Sequence, residues 1–316
     1  MLKKLIIVAV AVCVVCGYLF LEYVENPGAY DKPVELLIPR GANSYTVAEK
    51  LYESGVISSP LVFRIMGRLN GLDKKLKAGE YLFAPQMSLV EVMEQIASGD
   101  IIYRKVTLPE GLTVAQMVEI LNNNPYLSGE IGNIPVEGSL LPETYSFMRG
   151  DSRQSVIEQA KKAMDNVLAK VWENRDVSVP LKNRQELLIL ASIVEKETGI
   201  PEERGLVASV FVNRLKKGLL LQTDPTVIYA LTAGQKDLGR LLTRKDLTID
   251  NPYNTYKYRG LPPGPICNPG RESLLAAANP EVSDYIFFVA SGNGGHNFAR
   301  SLKEHNRNVR EWKKQK

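Results

Sequence analysis

Cysteine and histidine are scarce in this chain, with three and two copies in 316 residues. Cys13 and Cys16 sit in an uncharged apolar run, which leaves Cys267 as the single thiol elsewhere. No internal disulfide can form outside that run. The Cys13-x-x-Cys16 spacing reads as two small apolar residues in a membrane helix, not a redox pair. Neither cysteine follows a small residue, which argues against lipid attachment. His296 and His305 are too few to build a metal centre, so neither metal nor cofactor is expected. The Gly-x-Ser-x-Gly elbow, the P-loop and the dinucleotide fingerprint do not occur in usable context. Strong charge of one sign is also missing. The net charge is +4, with the excess at Lys3, Lys4 and the tail 300–316. That tail reads as a solvated amphipathic helix, and no motif interleaves aromatics with these basic residues, so nucleic acid is not expected as a partner.

What the first 25 residues do contain is distinctive. Residues 5–21, LIIVAVAVCVVCGYLFL, carry no charge and follow Met-Leu-Lys-Lys. As helix they span about 26 Å, and Tyr18 and Tyr23 extend the reach into the far interface of a ~30 Å hydrocarbon core. Lysines precede the run and Glu22, Glu25 and Asp31 follow it, which predicts a cytoplasmic N-terminus. A cleaved signal peptide is the rival, but Gly17 is followed by bulky residues that do not suit a cleavage site. The expected organisation is a stub at 1–4, a transmembrane helix at 5–23, a linker at 24–33, and α+β units at 34–102 and 103–316.

The opening of the first unit recurs in the second. LLIPRGANSYTVAEKL (36–51) and YRKVTLPEGLTVAQMVEIL (103–121) both read as strand, Pro-x-Gly turn and Thr-Val-Ala helix. Two copies do not make a solenoid. They predict two small strand–helix units in tandem, the second at 103–135. Further helices are expected at 59–70 with Ser59 as cap, at 88–99, and from Ser152 to Glu173. Another follows from Arg184 to Thr198, and one more within 199–218. YIFFVA (285–290) is the best strand of the second half.

The helix LLILASIVEKET (187–198) ends on carboxylates. At about 100° per residue, Leu187, Leu190, Ala191 and Val194 share one face. Glu197 falls about 20° beyond one edge of it and Glu195 about 40° beyond the other. A carboxyl on that border is partly desolvated, which raises its pKa toward the range of a general acid. The plainer alternative is two solvated glutamates at a helix end. The Pro/Gly loops that follow leave similar choices open. Asn213 and Arg214 either orient substrate or pair with Glu202 or Glu203. Asp224 either faces substrate, with Gln222, or caps the helix after it. Tyr253, Asn254, Tyr256 and Tyr258 offer sugar-stacking faces and amide bonds, or pack the loop. His296 reads as a hydrogen-bonding loop residue and His305 as a surface one.

Taken together, EGSLLPETY (137–145), ASIVEKET (191–198), VASVFVNRL (207–215), LQTDPTVIYA (221–230), NPYNTYKYRGLPPGPICNPG (251–270), SLLAAANP (273–280) and FFVASGNGGHNF (287–298) resemble the endolytic murein transglycosylase, or YceG-like, family. Cys267 stands where that pattern suggests Ala or Ser. The resemblance implies a single-pass protein of the inner membrane with its catalytic domain outside the cytoplasm and a LysM-like subdomain at 34–102. It implies cleavage within nascent peptidoglycan strands, leaving 1,6-anhydro-N-acetylmuramic ends, with cell-wall synthases as candidate partners. Its catalytic glutamate falls on Glu197. Contacts to the glycan are then expected from Asn213, Gln222, Asp224, Tyr253, Asn254, Tyr256, His296 and Glu143. Three loops, carrying Gln222, Tyr253–Tyr256 and Gly292–His296, should close one cleft around Glu197.

One carboxylate suffices for such a reaction. A glycosidase needs two, whereas here the muramyl C6 hydroxyl replaces water and attacks intramolecularly. A muramidase using Glu143, Asp224 or Asp250 as second carboxylate is the enzymatic alternative, and a non-catalytic glycan-binding scaffold is the other.

Overall fold

A computed structural model describes residues 2–292 and 294–314. Met1, Asn293, Gln315 and Lys316 lie outside the described residues, and with them the ends of the expected stub and second unit and one position of the Gly292–His296 turn. The chain mixes helices with small two-stranded sheets and divides into two compact units, 1–104 with 146–150 and 105–145 with 151–316.

The first unit opens with α1 (Leu2–Glu25). Its stretch Lys3–Glu25 has mean hydropathy 2.6 and none of its most apolar window is buried, so it is long and apolar enough to cross a membrane. It extends two residues past the expected end at 23. Then come β1 (Val34–Ile38), α2 (Ser44–Glu53), α3 (Pro60–Leu69), β2 (Gly79–Phe83) and α4 (Leu89–Ser98). β1 and β2 pair antiparallel with Val34 opposite Phe83. The core beneath gathers Ile38, Val47, Leu51, Phe63, Tyr81, Phe83, Val92 and Ile96, each helix giving its apolar stripe. Local signals set the helix ends. Ser59 accepts from Val62 N with Pro60 at the first helical position, and Ser88 with Glu91 forms a reciprocal capping box. Glu80 is buried between Arg104 (2.7 and 3.0 Å) and Arg149 (2.8 Å). The Arg104 hydrogen bonds hold its carboxyl below the usual range despite burial.

The second unit begins at Lys105, one residue into β3 (Arg104–Thr107), and continues with α5 (Val114–Asn122) and the first half of β4 (Thr144–Phe147), the partner of β3. The recurrence read from sequence is real in its strand, its Gly turn (Gly41 φ 78°, Gly111 φ 73°) and its helix. It fails in the cap. Thr113 caps α5, but its counterpart Thr46 lies inside α2, where Asn43 takes the capping role. An Asn three residues earlier in the copy simply offers the better first acceptor. β4 lies at the end of SLLPETYSF (139–147), a segment whose composition reads as a loop leading into the next helix. Next come α6 (Arg153–Glu173), α7 (Arg184–Glu197), α8 (Arg204–Lys216), α9 (Asp224–Thr232) and α10 (Arg271–Ala278), then β5 (Phe287–Ala290), β6 (His296–Ala299) and α11 (Leu302–Lys314).

α7 is the axis of this unit. Every residue from Leu187 to Val194 is buried, because α6, α8, α9 and α10 surround it. The sequence predicted burial on one face only. The small side chains Ala191 and Ser192 allow neighbours to approach the rest of the circumference, and Ser192 Oγ satisfies itself by donating to Ile189 O. Such a wrapped helix is a rigid base for whatever stands at its end.

Candidate active site

α7 stops at Glu197 because Thr198 turns extended (φ −142°, ψ 132°) ahead of Gly199-Ile200-Pro201. Glu197 therefore stands at the tip of a buried helix. It is half-buried, enclosed by protein on most sides, with one edge on a cleft of about 450 Å³. Burial pushes its carboxyl up from 4.5 to about 7, and the charge of Asp224 adds to that rise. A hydrogen bond from Thr223 Oγ1 and the field of His296 pull the other way. A carboxyl that titrates near neutrality at the edge of a cleft can both give and take a proton.

Its donor is held firmly. Thr223 is buried, its amide donates to Thr255 Oγ1 at 3.1 Å, and Thr255 and Thr226 share a 2.8 Å hydroxyl contact. Asp224, the next residue, accepts from Tyr256 OH at 2.6 Å. Burial and that bond raise the Tyr256 phenol well above its usual value, so it remains a donor. The cleft is completed by Arg214, Gln222, His305 and Asn306 among polar groups and by Val210, Phe211, Leu221, Phe287, Phe288 and Leu302. Arg214 is buried and donates to Leu220 O and Leu221 O (2.9 Å each), Gln222 Oε1 (3.1 Å) and Ile286 O (2.6 Å). Gln222 adopts a left-handed φ of 54°. A non-glycine residue in that conformation is strained, and such strain gathers at functional sites. No group of three or more His, Cys, Asp or Glu suited to a metal occurs among the described residues.

Of the residues singled out in the sequence, Glu197, Gln222, Asp224 and Tyr256 line this cleft together. Arg214 and His305 line it as well, and the others are placed elsewhere. Asn254 is fully buried and its amide donates to Leu247 O and Ile249 O, so it folds its own loop. Tyr253 packs its ring on Tyr229 at 4.9 Å and joins the hydrophobic core. Asn213 donates to Ser283 O (2.7 Å) and Tyr285 O (3.0 Å), and neither it nor Arg214 pairs with Glu202 or Glu203. His296 opens β6 and binds Glu203 through Nδ1 at 2.6 Å, beside the cleft and not in its lining. Glu143 is half exposed and faces Arg271 at 3.6 Å, and Asp250 binds Lys257 at 2.8 Å. Asp224 is no helix cap. Thr223 holds the cap position without a side-chain bond, because its hydroxyl is committed to Glu197.

Sequence reading missed Thr223, the Phe211–Phe288 wall and His305. His305 is half-buried against Phe287 at 5.0 Å and lines the cleft, contrary to the surface position expected of it. Burial, with Arg214 nearby, lowers its pKa. The spacing Leu302, His305, Asn306 carried the signal, since those positions share one face of α11. Glu195 is turned away from the cleft. Its Oε2 accepts from Gly270 N at 2.9 Å.

Comparisons with known proteins identify the family. A family model described as the YceG-like family matches residues 36–311. An endolytic murein transglycosylase of Bacillus subtilis (strain 168) is 34% identical over 327 residues, covering 92% of this chain and 87% of its own. One from Streptococcus pneumoniae serotype 2 is 28% identical over 89% of this chain, which spans only 58% of that longer relative. A crystal structure of a YceG-like protein from Listeria monocytogenes superposes with a TM-score of 0.54 at 32% identity, covering 88% of this chain and 99% of that one. With three-quarters and more of its length matched in each way, the chain belongs to the YceG-like family.

Proposed function

We propose that this chain is a membrane-anchored lytic transglycosylase that cuts within peptidoglycan strands, with Glu197 as its single general acid and base. The observation that carries the reading is a carboxyl near pKa 7 at the edge of a cleft, in a family whose relatives are named endolytic murein transglycosylases. Protonated Glu197 gives its proton to the oxygen linking N-acetylmuramic acid C1 to the next sugar, and that C–O bond breaks. Positive charge spreads over C1 and the ring oxygen, where the Asp224 carboxylate lowers its energy. Glu197, now ionised, takes the proton of the muramyl C6 hydroxyl as O6 bonds to C1. The 1,6-anhydro ring closes without water, and Glu197 is again protonated. Thr223 keeps the carboxyl aimed through both steps.

Product analysis tests the reaction. Purified strands digested by the chain should release fragments one water lighter by mass spectrometry than hydrolysis gives. Because Asp224 shares the cleft, the muramidase reading survives only through it. Glu143 and Asp250, bound to Arg271 and Lys257 outside the cleft lining, offer it no support. Fragments carrying the added water would decide for hydrolysis.

The pH dependence follows from the raised pKa. The first step needs protonated Glu197, so kcat/KM should hold below about pH 6 and fall about tenfold per unit above pH 7. An unperturbed carboxyl would lose activity from 4.5 upward. The sign for stability is the same. Between 4.5 and about 7 the folded chain binds this proton more tightly than the unfolded chain, so stability is lost as pH rises through 7. Glu197→Gln removes that loss, and its Tm relative to wild type should be higher at pH 8 than at pH 5.

We read α1 as an uncleaved anchor in the cytoplasmic membrane with the remainder outside the cytoplasm, as Lys3 and Lys4 before the apolar run favour. Protein purified from membranes should keep residues 1–25 by mass, and a start near residue 25 would overturn the anchor. The unit at 34–102 orders its elements strand, helix, helix, strand and a closing helix, with the two strands antiparallel. That supports a LysM-like glycan-docking role, with peptidoglycan as its ligand and cell-wall synthases as neighbours.

A further inference from the structure

A second cavity of about 350 Å³ lies in the same unit as the cleft and shares a wall with it. Lys196 lines this cavity while Glu197, the next residue, lines the cleft. Pro225 lines it while Asp224, the residue before, lines the cleft. Successive Cα atoms are only about 3.8 Å apart, so the two hollows flank one strip of backbone, the strip that carries both carboxyls.

The chemistry of the two hollows differs. The cleft presents Glu197 and Asp224, with its one guanidinium committed to carbonyls and to Gln222. The second cavity has an apolar floor of Ile228, Tyr229 and Ile266 beneath Lys196, Lys236 and Arg240. Asp246 neutralises Arg240 through a two-armed contact of 2.6 and 3.0 Å. The two lysines have no carboxylate in ion-pair range among the described residues, and the Lys196 ammonium donates only to Gly111 O at 3.2 Å. Asp237 is the one acid on the rim, and it accepts from Gln116 at 3.3 Å.

The rim is also fixed in place. Thr113 Oγ1 donates to Gly234 O at 2.6 Å, and Arg240 ties the far end of the loop to Asp246. Gly234 has φ 70°, and a Cβ there would stand 2.8 Å from the Tyr229 ring, so the loop rests directly on the cavity floor.

We propose that this cavity binds an acidic peptide, namely the carboxylate-bearing stem carried by the muramic sugar whose bond Glu197 breaks. The proposal rests on the transglycosylase reading above. The stem hangs from the lactyl group at C3 of the same ring that is cut at C1. It must therefore leave the cleft within a few bonds of the reacting carbon. The adjoining lysines attract its carboxylates, and the apolar floor suits alanyl methyl groups. Substrate with a stem is thus held at two places beside the bond to be cut.

The full chain is assayed on uncrosslinked strands with stems and on the same strands stripped of stems by an amidase. Wild type should prefer stem-bearing strands about tenfold in kcat/KM, with a preference that weakens as salt rises. Lys236→Gln should shrink the preference and Lys236→Glu erase it, through KM with kcat held. Lys236 is exposed in a loop, so neither variant threatens folding. Equal preference in wild type and Lys236→Glu, or none in wild type, overturns the proposal. If no anhydro ends appear from either substrate, the transglycosylase reading has failed. Titration with an L-alanyl-D-glutamyl peptide then decides the cavity separately. Binding that Lys236→Glu weakens about tenfold supports it, and binding that is absent or indifferent to the substitution rejects it.

Discussion

Glu197→Gln should lower turnover on glycan strands by about a thousandfold or more while leaving the chain folded. The amide keeps the shape of the carboxyl and can still accept from Thr223, so the change removes the proton and little else. Glu195→Gln is the internal control. Two residues apart on a helix, the side chains project about 200° from one another and cannot serve one bond. Glu195 instead accepts from the Gly270 amide at 2.9 Å, an interaction that a glutamine oxygen can retain. It should keep turnover within about tenfold of wild type, the scale of one weakened neutral hydrogen bond. The pair is measured as kcat on purified strands, with circular dichroism to verify folding. Equal loss in both variants, or full activity in Glu197→Gln, would mean that the acid lies elsewhere.

The central helix and the position of a carboxyl at its tip were legible because burial leaves a periodic trace. Leu187, Leu190 and Val194 announce a packed helix, and a carboxyl two or three residues later has few places to go. Loop residues leave no such trace. Tyr253, Asn254 and Tyr256 are close in sequence and similar in kind, yet they do three different things. Tyr253 packs on Tyr229, Asn254 bonds two carbonyls of its own loop, and Tyr256 alone turns to Asp224 in the cleft. Asn254 decides this, since its Oδ1 accepts from Tyr256 N and sets the turn. A side-chain-to-backbone bond of that kind is invisible to composition. Thr223 was overlooked for a related reason. It lies between Gln222 and Asp224, and nothing in the triplet says which of them meets Glu197. The segment 146–150, which clusters with the first unit through contacts such as Arg149 to Glu80, likewise depends on a partner 69 residues away.

Arg214 is where the loop bearing Gln222 and Thr223 depends on one side chain. Its planar fork reaches Leu220 O, Leu221 O, Gln222 Oε1 and Ile286 O, joining that loop to the chain entering β5. A methionine there keeps the length and the apolar stem but supplies no donor. Several buried acceptors would then be orphaned at about 1–3 kcal/mol each, partly relieved by water from the cleft. Arg214→Met should therefore cost about 2–4 kcal/mol, a Tm lower by about 5–15 °C for a unit of this size. The loss of the fork also frees Gln222 from its strained φ of 54°, and Thr223 moves with it. Assayed at a temperature where the variant is still folded, kcat should fall at least tenfold and the alkaline limb of the pH profile should shift. Thr223 donates to the ionised carboxyl and holds its pKa down, so its withdrawal moves that limb upward. Lysine at 214 offers three donors without the fork and should recover part of the stability and little of the rate. A folded Arg214→Met with wild-type kcat and an unmoved pH limb would leave this arginine with stability alone as its role.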